Sequence, residues 1–189
     1  MKRQTTKVEL PAFSIGQRRH ITFHQYGELG ESGERAYVQA SLHADELPGL
    51  LVNHHLIKLL DEAAAQNKIK KCIVIVPFAN PVGLSQQILG SHLGRFNVDS
   101  GTNFNRDWPD FTDAIASQLE PLLSVDDSKQ NVRVIRELLM SAIDNDRGQK
   151  EDAQLRKTLF RVAATSDIVL DLHCDSGILR CLWTIELHF

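Results

Sequence analysis

Cysteine is scarce in this chain, and the three present, Cys72, Cys174 and Cys181, form neither an even set nor a Cys-x-x-Cys pair. That excludes a disulfide framework and reads as reduced thiols in a cytoplasmic protein. No apolar run approaches the roughly 18 residues of a membrane span. The N-terminus, Met1 to Lys7, is basic and polar with no apolar stretch behind it, so no secretory leader is visible. Positive charge is also in short supply. Lys and Arg number 21 against 24 Asp and Glu, a formal charge of −3. The pI is near 6.2, which gives no reason to expect nucleic acid or an anionic membrane as partner. Internal repeats, low-complexity tracts and linkers are missing too. So are the GxSxG elbow of a serine hydrolase, the GxxxxGK[ST] phosphate loop and the Pro-Cys-x-x-Cys segment of a zinc deaminase.

What remains is a chain of 189 residues, 42% hydrophobic, which suits one domain with a sizeable core. Residues 19–26 and 36–42 read as strands around a glycine-rich turn, and 47–66 as a helix that Pro48 can open, since the first turn needs no N–H there. Cys72 to Val76 is a short apolar β-branched run, the mark of a buried parallel strand, and it ends at Pro77 and the Asn80-Pro81-Val82-Gly83 turn. Residues 84–109 look irregular, a length that points to a working loop. Helical spacing returns at 111–123, 131–143 and 151–164, and Asp167 to Leu172 is another apolar strand. Helices alternating with strands predict an α/β fold, a mostly parallel mixed sheet between two helix layers. Ligands bind such sheets at the carboxyl ends of the strands. The helices at 131–164 could pack on the sheet or on a second subunit.

Three segments carry groups suited to a metal site. His43-Ala44-Asp45-Glu46 puts an imidazole at a strand end and a carboxylate at the start of the next helix. Asp171-Leu172-His173 closes an apolar strand, and period-two geometry sends Asp171 and His173 to one side, where Asp171 can fix the tautomer of an imidazole. Cys174 should point the other way and pack. Two imidazoles and one carboxylate are the ligand set of a catalytic zinc with one coordination position open. Asn105-Arg106, in the long loop, offers a planar fork of donors matched to a substrate carboxylate. His20, His24, His54 and His55 read as surface or packing histidines, and His92 lies in the loop without a defined role.

Together these motifs resemble the zinc carboxypeptidase superfamily, in its succinylglutamate desuccinylase/aspartoacylase branch. His-x-x-Glu, Asn80-Pro81-x-Gly83, Asn-Arg and Asp-Leu-His follow in order over residues 36–175. The resemblance implies a three-layer carboxypeptidase-like fold and one Zn2+ per chain on His43, Glu46 and His173. It implies a substrate carboxylate on Asn105 and Arg106, and hydrolysis of an N-acyl amino acid or peptide. Two departures stand out. Asn103 occupies the place of the family's Asp, keeping a hydrogen-bond acceptor but no charge. The family's general base resembles Glu186, on a strand at 182–187, yet only twelve residues separate it from His173, too few for a parallel crossover. Residues 174–189 then form a tight hairpin, or the catalytic strand is displaced. The 1–189 domain looks shortened at its C-terminus, and a metal-binding protein without turnover is the alternative.

Overall fold

The computed structural model describes residues 2–11, 14–29, 34–148 and 150–174, with the backbone of Trp183–Ile185. Its main sheet takes β1 (Gln4–Glu9), β2 (His20–Tyr26), β3 (Arg35–Ala40), β4 (Cys72–Val76), β7 (Ile168–Leu172) and β8 (Trp183–Ile185), in the order β1-β2-β4-β3-β7-β8. The three central strands β4, β3 and β7 are parallel; β1, β2 and β8 join the flanks antiparallel. Central strands must be apolar on both faces, and alternation distributes them accordingly. Tyr37, Val74, Val76 and Val169 face one layer. Val38, Ala40, Ile75 and Leu172 face the other.

The helix α1 (Pro48–Ala65) covers the second face with Leu60 and Ala64, helped by Leu56 and Ile57. The helix α5 (Glu151–Ala163) covers the first with Leu155 and Leu159, both buried beside Phe104. Burying each such leucine contributes about 1.5–3 kcal/mol. Outside α5 stand α3 (Thr112–Leu119) and α4 (Ser128–Asn145), joined to it through Ile115, Leu139 and Ala164. The expected three layers are therefore present. Among the described residues, no helix is long and apolar enough to cross a membrane.

Three departures from the sequence reading have physical causes. β1 was not expected, because an edge strand exposed along nearly all its length needs no apolar face; Thr5, Thr6 and Val8 were its only signal. The stretch 84–109 is less irregular than its composition suggests. A one-turn helix α2 (Pro81–Leu84) leads to the miniature hairpin β5 (Gln87–Ile88) and β6 (Ser91–His92), and an antiparallel bridge joins Phe96 to Asn103. Finally β8 returns beside β7 as an antiparallel neighbour, Trp183 next to Asp171 and Ile185 next to Val169. An antiparallel neighbour of β7 is what the hairpin alternative expects of this strand; residues 175–182, which join the two, lie outside the described residues.

Two features set the site at the carboxyl edge. The β3–β7 register, Ala40 beside Leu172, brings the chain after each strand to one place. Gly49, in the first turn of α1, lies so close to β7 that a Cβ there would sit 2.9 Å from the Leu172 carbonyl oxygen. Only glycine lets the helix start so near the strand that ends at His173.

Candidate metal centre

The site begins where β3 ends. Ser41 takes a left-handed backbone, φ 59°, which turns the chain sharply out of the strand at the cost such a conformation carries for a residue with a Cβ. Leu42 then anchors in the core. His43 to Glu46 close a turn, the Glu46 N–H donating to the His43 carbonyl at 3.0 Å. Glu46 thus precedes α1 instead of lying in its first turn. Asn80 clamps this turn from the next loop: its Nδ2 donates to the Leu42 carbonyl at 2.8 Å while its Oδ1 accepts the Gly83 N–H at 2.8 Å. The Ala44 N–H donates to the Gly94 carbonyl at 2.9 Å. A Cβ on Gly94 would lie 2.2 Å from the Asp45 nitrogen, so backbone meets backbone there with no room between.

Inside this frame His43, Glu46 and His173 converge, each offering a ligand atom within 4.8 Å of the others. Both rings turn Nδ1 to the Glu46 carboxylate, His43 to Oε1 and His173 to Oε2, each at 3.0 Å. Both rings turn Nε2 to an oxygen beyond. His43 Nε2 donates to Asn103 Oδ1 at 2.8 Å, an amide orientation fixed by the Asn105 N–H donating to the same atom. His173 Nε2 donates to Asp171 Oδ2 at 2.7 Å. Two further donors reach Glu46: Arg95 Nη2 to Oε1 at 2.6 Å and the Cys174 N–H to Oε2 at 2.8 Å.

The charges follow from these contacts. Burial alone would raise the Glu46 carboxyl, but the hydrogen bonds from His173, His43 and the Cys174 N–H hold it well below the usual carboxylate range. Burial alone would lower His173, yet its hydrogen bonds to the Asp171 and Glu46 carboxylates outweigh that and push the imidazolium up to about 9.

The donor set fits a small divalent cation on its own chemistry. A neutral imidazole has one N–H, and here each ring has an oxygen acceptor at both nitrogens. An ion among the two Nδ1 atoms and Glu46 would take the place of the Nδ1 protons. Each Nε2–H would stay on Asn103 or Asp171, the arrangement by which outer oxygens orient histidine ligands. Two nitrogens and a carboxylate suit zinc best among common ions.

Of the other residues named from sequence, Asn105 adjoins the cluster, its Nδ2 3.5 Å from His173 Nε2 and its Oδ1 accepting Trp108 Nε1–H at 2.9 Å. Arg106 is exposed and donates through Nη1 to the Asn105 carbonyl at 2.7 Å, with no other partner for its fork among the described residues. Phe104, fully buried, pins this loop to the core. Glu186 lies outside the described residues. His92 donates to the Gly83 carbonyl at 3.1 Å and so braces the Asn80 clamp. His24 meets Thr5 at 3.1 Å on the far flank of the sheet, and His54 and His55 are exposed on α1. Sequence reasoning missed Arg95 and the Cys174 N–H. A lone arginine in a loop carries no spacing signal, and a backbone donor carries none at all.

With this geometry the class is clear. The layers and sheet are those of the zinc carboxypeptidase-like fold. A carboxypeptidase A from Helicoverpa armigera aligns over 91% of this chain and 41% of its own, TM-score 0.54 at 16% identity, a likeness of fold alone. Within that class, the chain belongs to the succinylglutamate desuccinylase/aspartoacylase family, whose catalytic-domain profile matches residues 32–188. A structure from Shewanella amazonensis, described as a protein of that family, shares 29% identity with TM-score 0.75 over 91% of this chain and 47% of its own. One from Shewanella frigidimarina, described as a succinylglutamate desuccinylase/aspartoacylase, shares 25% identity with TM-score 0.79 over 92% and 46%. The chain thus spans about half the length of these relatives. No curated protein matches it.

Proposed function

We propose that the chain is a zinc-dependent hydrolase of an amide bond beside a free carboxylate, of the N-acyl amino acid deacylase or carboxypeptidase type, holding one Zn2+ on His43, Glu46 and His173. The observation that supports it is the pairing described above: two Nδ1 atoms on one buried carboxylate, with an oxygen behind each Nε2. Zinc held by His43, Glu46 and His173 would supply Lewis-acid polarisation of the scissile carbonyl and a water acidified to a pKa of about 7.

The chain's own groups supply the rest. Asn105 and Arg106 hold the substrate carboxylate and set the carbonyl against the cluster, converting binding into orientation. Arg95, two-fifths exposed and donating to Glu46, steadies negative charge as it develops on the carbonyl oxygen. Glu186 takes a proton from the attacking water and passes it to the leaving amine.

One observation favours a second reading, a metal-binding protein without turnover. β8 runs from Trp183 beside Asp171 to Ile185 beside Val169, away from the edge where His173 stands. Metal analysis beside hydrolysis of N-acyl amino acids with added zinc separates the two. Bound zinc with no turnover favours the second. Bound zinc with turnover that His43→Ala or His173→Ala abolishes, and that Arg106→Ala weakens mainly through KM, supports the first. Unchanged metal content in both histidine variants overturns both.

A further inference from the structure

The segment that closes over the metal centre also turns three large apolar side chains outward. Leu93 is 45% exposed, Phe96 50% and Val98 52%. Between them lie Gly94, against the Ala44–Asp45 backbone, and Arg95, on Glu46. Single apolar residues on a surface mean little, whereas a group of them held together beside a polar site reads as a binding face.

These three are held as one unit by Gln86. Its Oε1 accepts the Val98 N–H at 2.9 Å. Its Nε2 donates to the Leu93 carbonyl and to the Phe96 carbonyl, the latter at 2.7 Å. The Leu93 N–H returns to the Gln86 carbonyl at 3.0 Å. One amide thus gathers the backbone of all three residues in one place.

Phe96 is also aimed. The Phe104 N–H donates to the Arg95 carbonyl at 3.1 Å and the Asn97 N–H to the Thr102 carbonyl at 2.8 Å. The bridge from Phe96 to Asn103 is therefore a non-hydrogen-bonded antiparallel pair, whose opposite side chains leave on one face at close spacing. On that face the Asn103 side chain reaches His43 Nε2, while His43 Nδ1 looks toward Glu46. Phe96 accordingly stands about one imidazole away from the ligand atoms.

We infer that Leu93, Phe96 and Val98 form a shelf for the acyl group of the substrate, and that the chain prefers an unbranched aliphatic acyl group of octanoyl size to acetyl or succinyl. The inference rests on the hydrolase reading and adds a substrate class to it. An N-acyl amino acid offers one carboxylate and one tail, and Asn105 and Arg106 are assigned the carboxylate. Between Leu93 and Val98 the only charged side chain is Arg95, already on Glu46, so the shelf has no free cation for succinyl's second carboxylate. An acetyl group ends before a ring set back behind His43. A longer tail reaches it, and both apolar surfaces leave water.

Binding is read with sulfonamides, which carry no cleavable amide: calorimetric titration of the zinc-loaded chain with N-methylsulfonyl-, N-(2-carboxyethylsulfonyl)- and N-octylsulfonylglycine. The octyl form should bind at least tenfold tighter than the methyl form. A shelf covers one side of the tail, which gives about twofold per added methylene against about fourfold on full burial. Phe96→Ser and Val98→Ser change exposed side chains and keep the fold by circular dichroism. Each should lower the octyl-to-methyl ratio severalfold and leave the methyl constant unchanged. Equal binding of the octyl and methyl forms, tightest binding of the carboxyethyl form, or a ratio unchanged in both variants overturns the inference. So does a dimer in light scattering that Phe96→Ser dissociates while chain length has no effect, which would assign the shelf to a second copy. The expected binding order without turnover of N-octanoylglycine supports the shelf and fails only the hydrolase reading.

Discussion

Asn103 holds two parts of the centre through a single atom. Its Oδ1 accepts both the His43 Nε2 proton and the Asn105 N–H, each at 2.8 Å. Asn103→Ala removes the acceptor that fixes the His43 ring and the backbone bond that sets Asn105. Each part-buried bond contributes about 0.5–1.5 kcal/mol, so fold stability should fall by about 1–3 kcal/mol. Metal affinity should fall further than that loss of stability alone explains. Removing the oxygen behind a histidine ligand typically weakens the metal about 10–100-fold, or about 1.4–2.7 kcal/mol at 1.36 per tenfold. Asn103→Asp keeps the oxygen and adds a charge, which makes the ring a stronger donor to a cation. Zinc affinity should therefore rank Asp above Asn above Ala at position 103. Competition against a chromophoric chelator at neutral pH reads the three constants, with circular dichroism confirming that each variant is folded. An alanine variant that binds zinc as tightly as the parent, or an aspartate variant that binds it more weakly, refutes the reasoning.

Other perturbations test the frame around the site. Gly94→Ala puts a methyl group into the Ala44–Asp45 backbone; urea denaturation should show a loss of about 1–3 kcal/mol or more, and bound metal should fall with it. Ser41→Gly removes the left-handed cost of about 1–2 kcal/mol against about 0.5–1 of added chain entropy, and it deletes a buried hydroxyl with no partner among the described residues. Its denaturation midpoint should hold or rise, whereas Ser41→Val should lower it. The chain has two tyrosines, and both are shifted upward. Burial and the Asp61 hydrogen bond push Tyr26 up to about 12, and burial with the nearby Asp171 charge raises Tyr37 well above its ordinary value. Stability from them is therefore complete below pH 10, the unfolded value, and declines as pH rises toward 12. Absorbance at 295 nm should show little tyrosinate until the chain unfolds; a smooth titration near pH 10 in a still-folded protein would contradict this.

Much of this architecture is legible in the residues. Cys72–Val76 is a run that only a strand buried on both faces would carry, and α1 reads from Pro48 onward because its apolar positions keep helical spacing. The convergence of His43, Glu46 and His173 could be expected from strand ends at one sheet edge. Asn103 as an acceptor and Asp171 on the same side as His173 follow from type and period. The illegible parts share one property: they depend on backbone or on contacts between distant loops. β1 has no apolar face to announce it. The Cys174 N–H that reaches Glu46 belongs to a residue readable only by its side chain. Arg95 becomes meaningful only once the bridge between Phe96 and Asn103 folds its loop over the carboxylate.

The centre is thus assembled by two devices of different range. His43 and Glu46 are three residues apart in one turn, tied to Asn80 and Gly94 by short loop-to-loop bonds. That pair is set locally. His173 comes from 127 residues further along than Glu46, delivered by the parallel register of β3 and β7 and by the closeness Gly49 permits. A change in the sheet or at Gly49 should therefore displace one donor and leave two, whereas a change at Asn80 or Gly94 should displace two and leave one. Glu46 binds the devices together, because its carboxylate takes donors from His43, Arg95, His173 and the Cys174 backbone at once. Three segments distant in sequence, at 43–46, at 95 and at 173–174, meet on that side chain, so its geometry reports the folding of all of them.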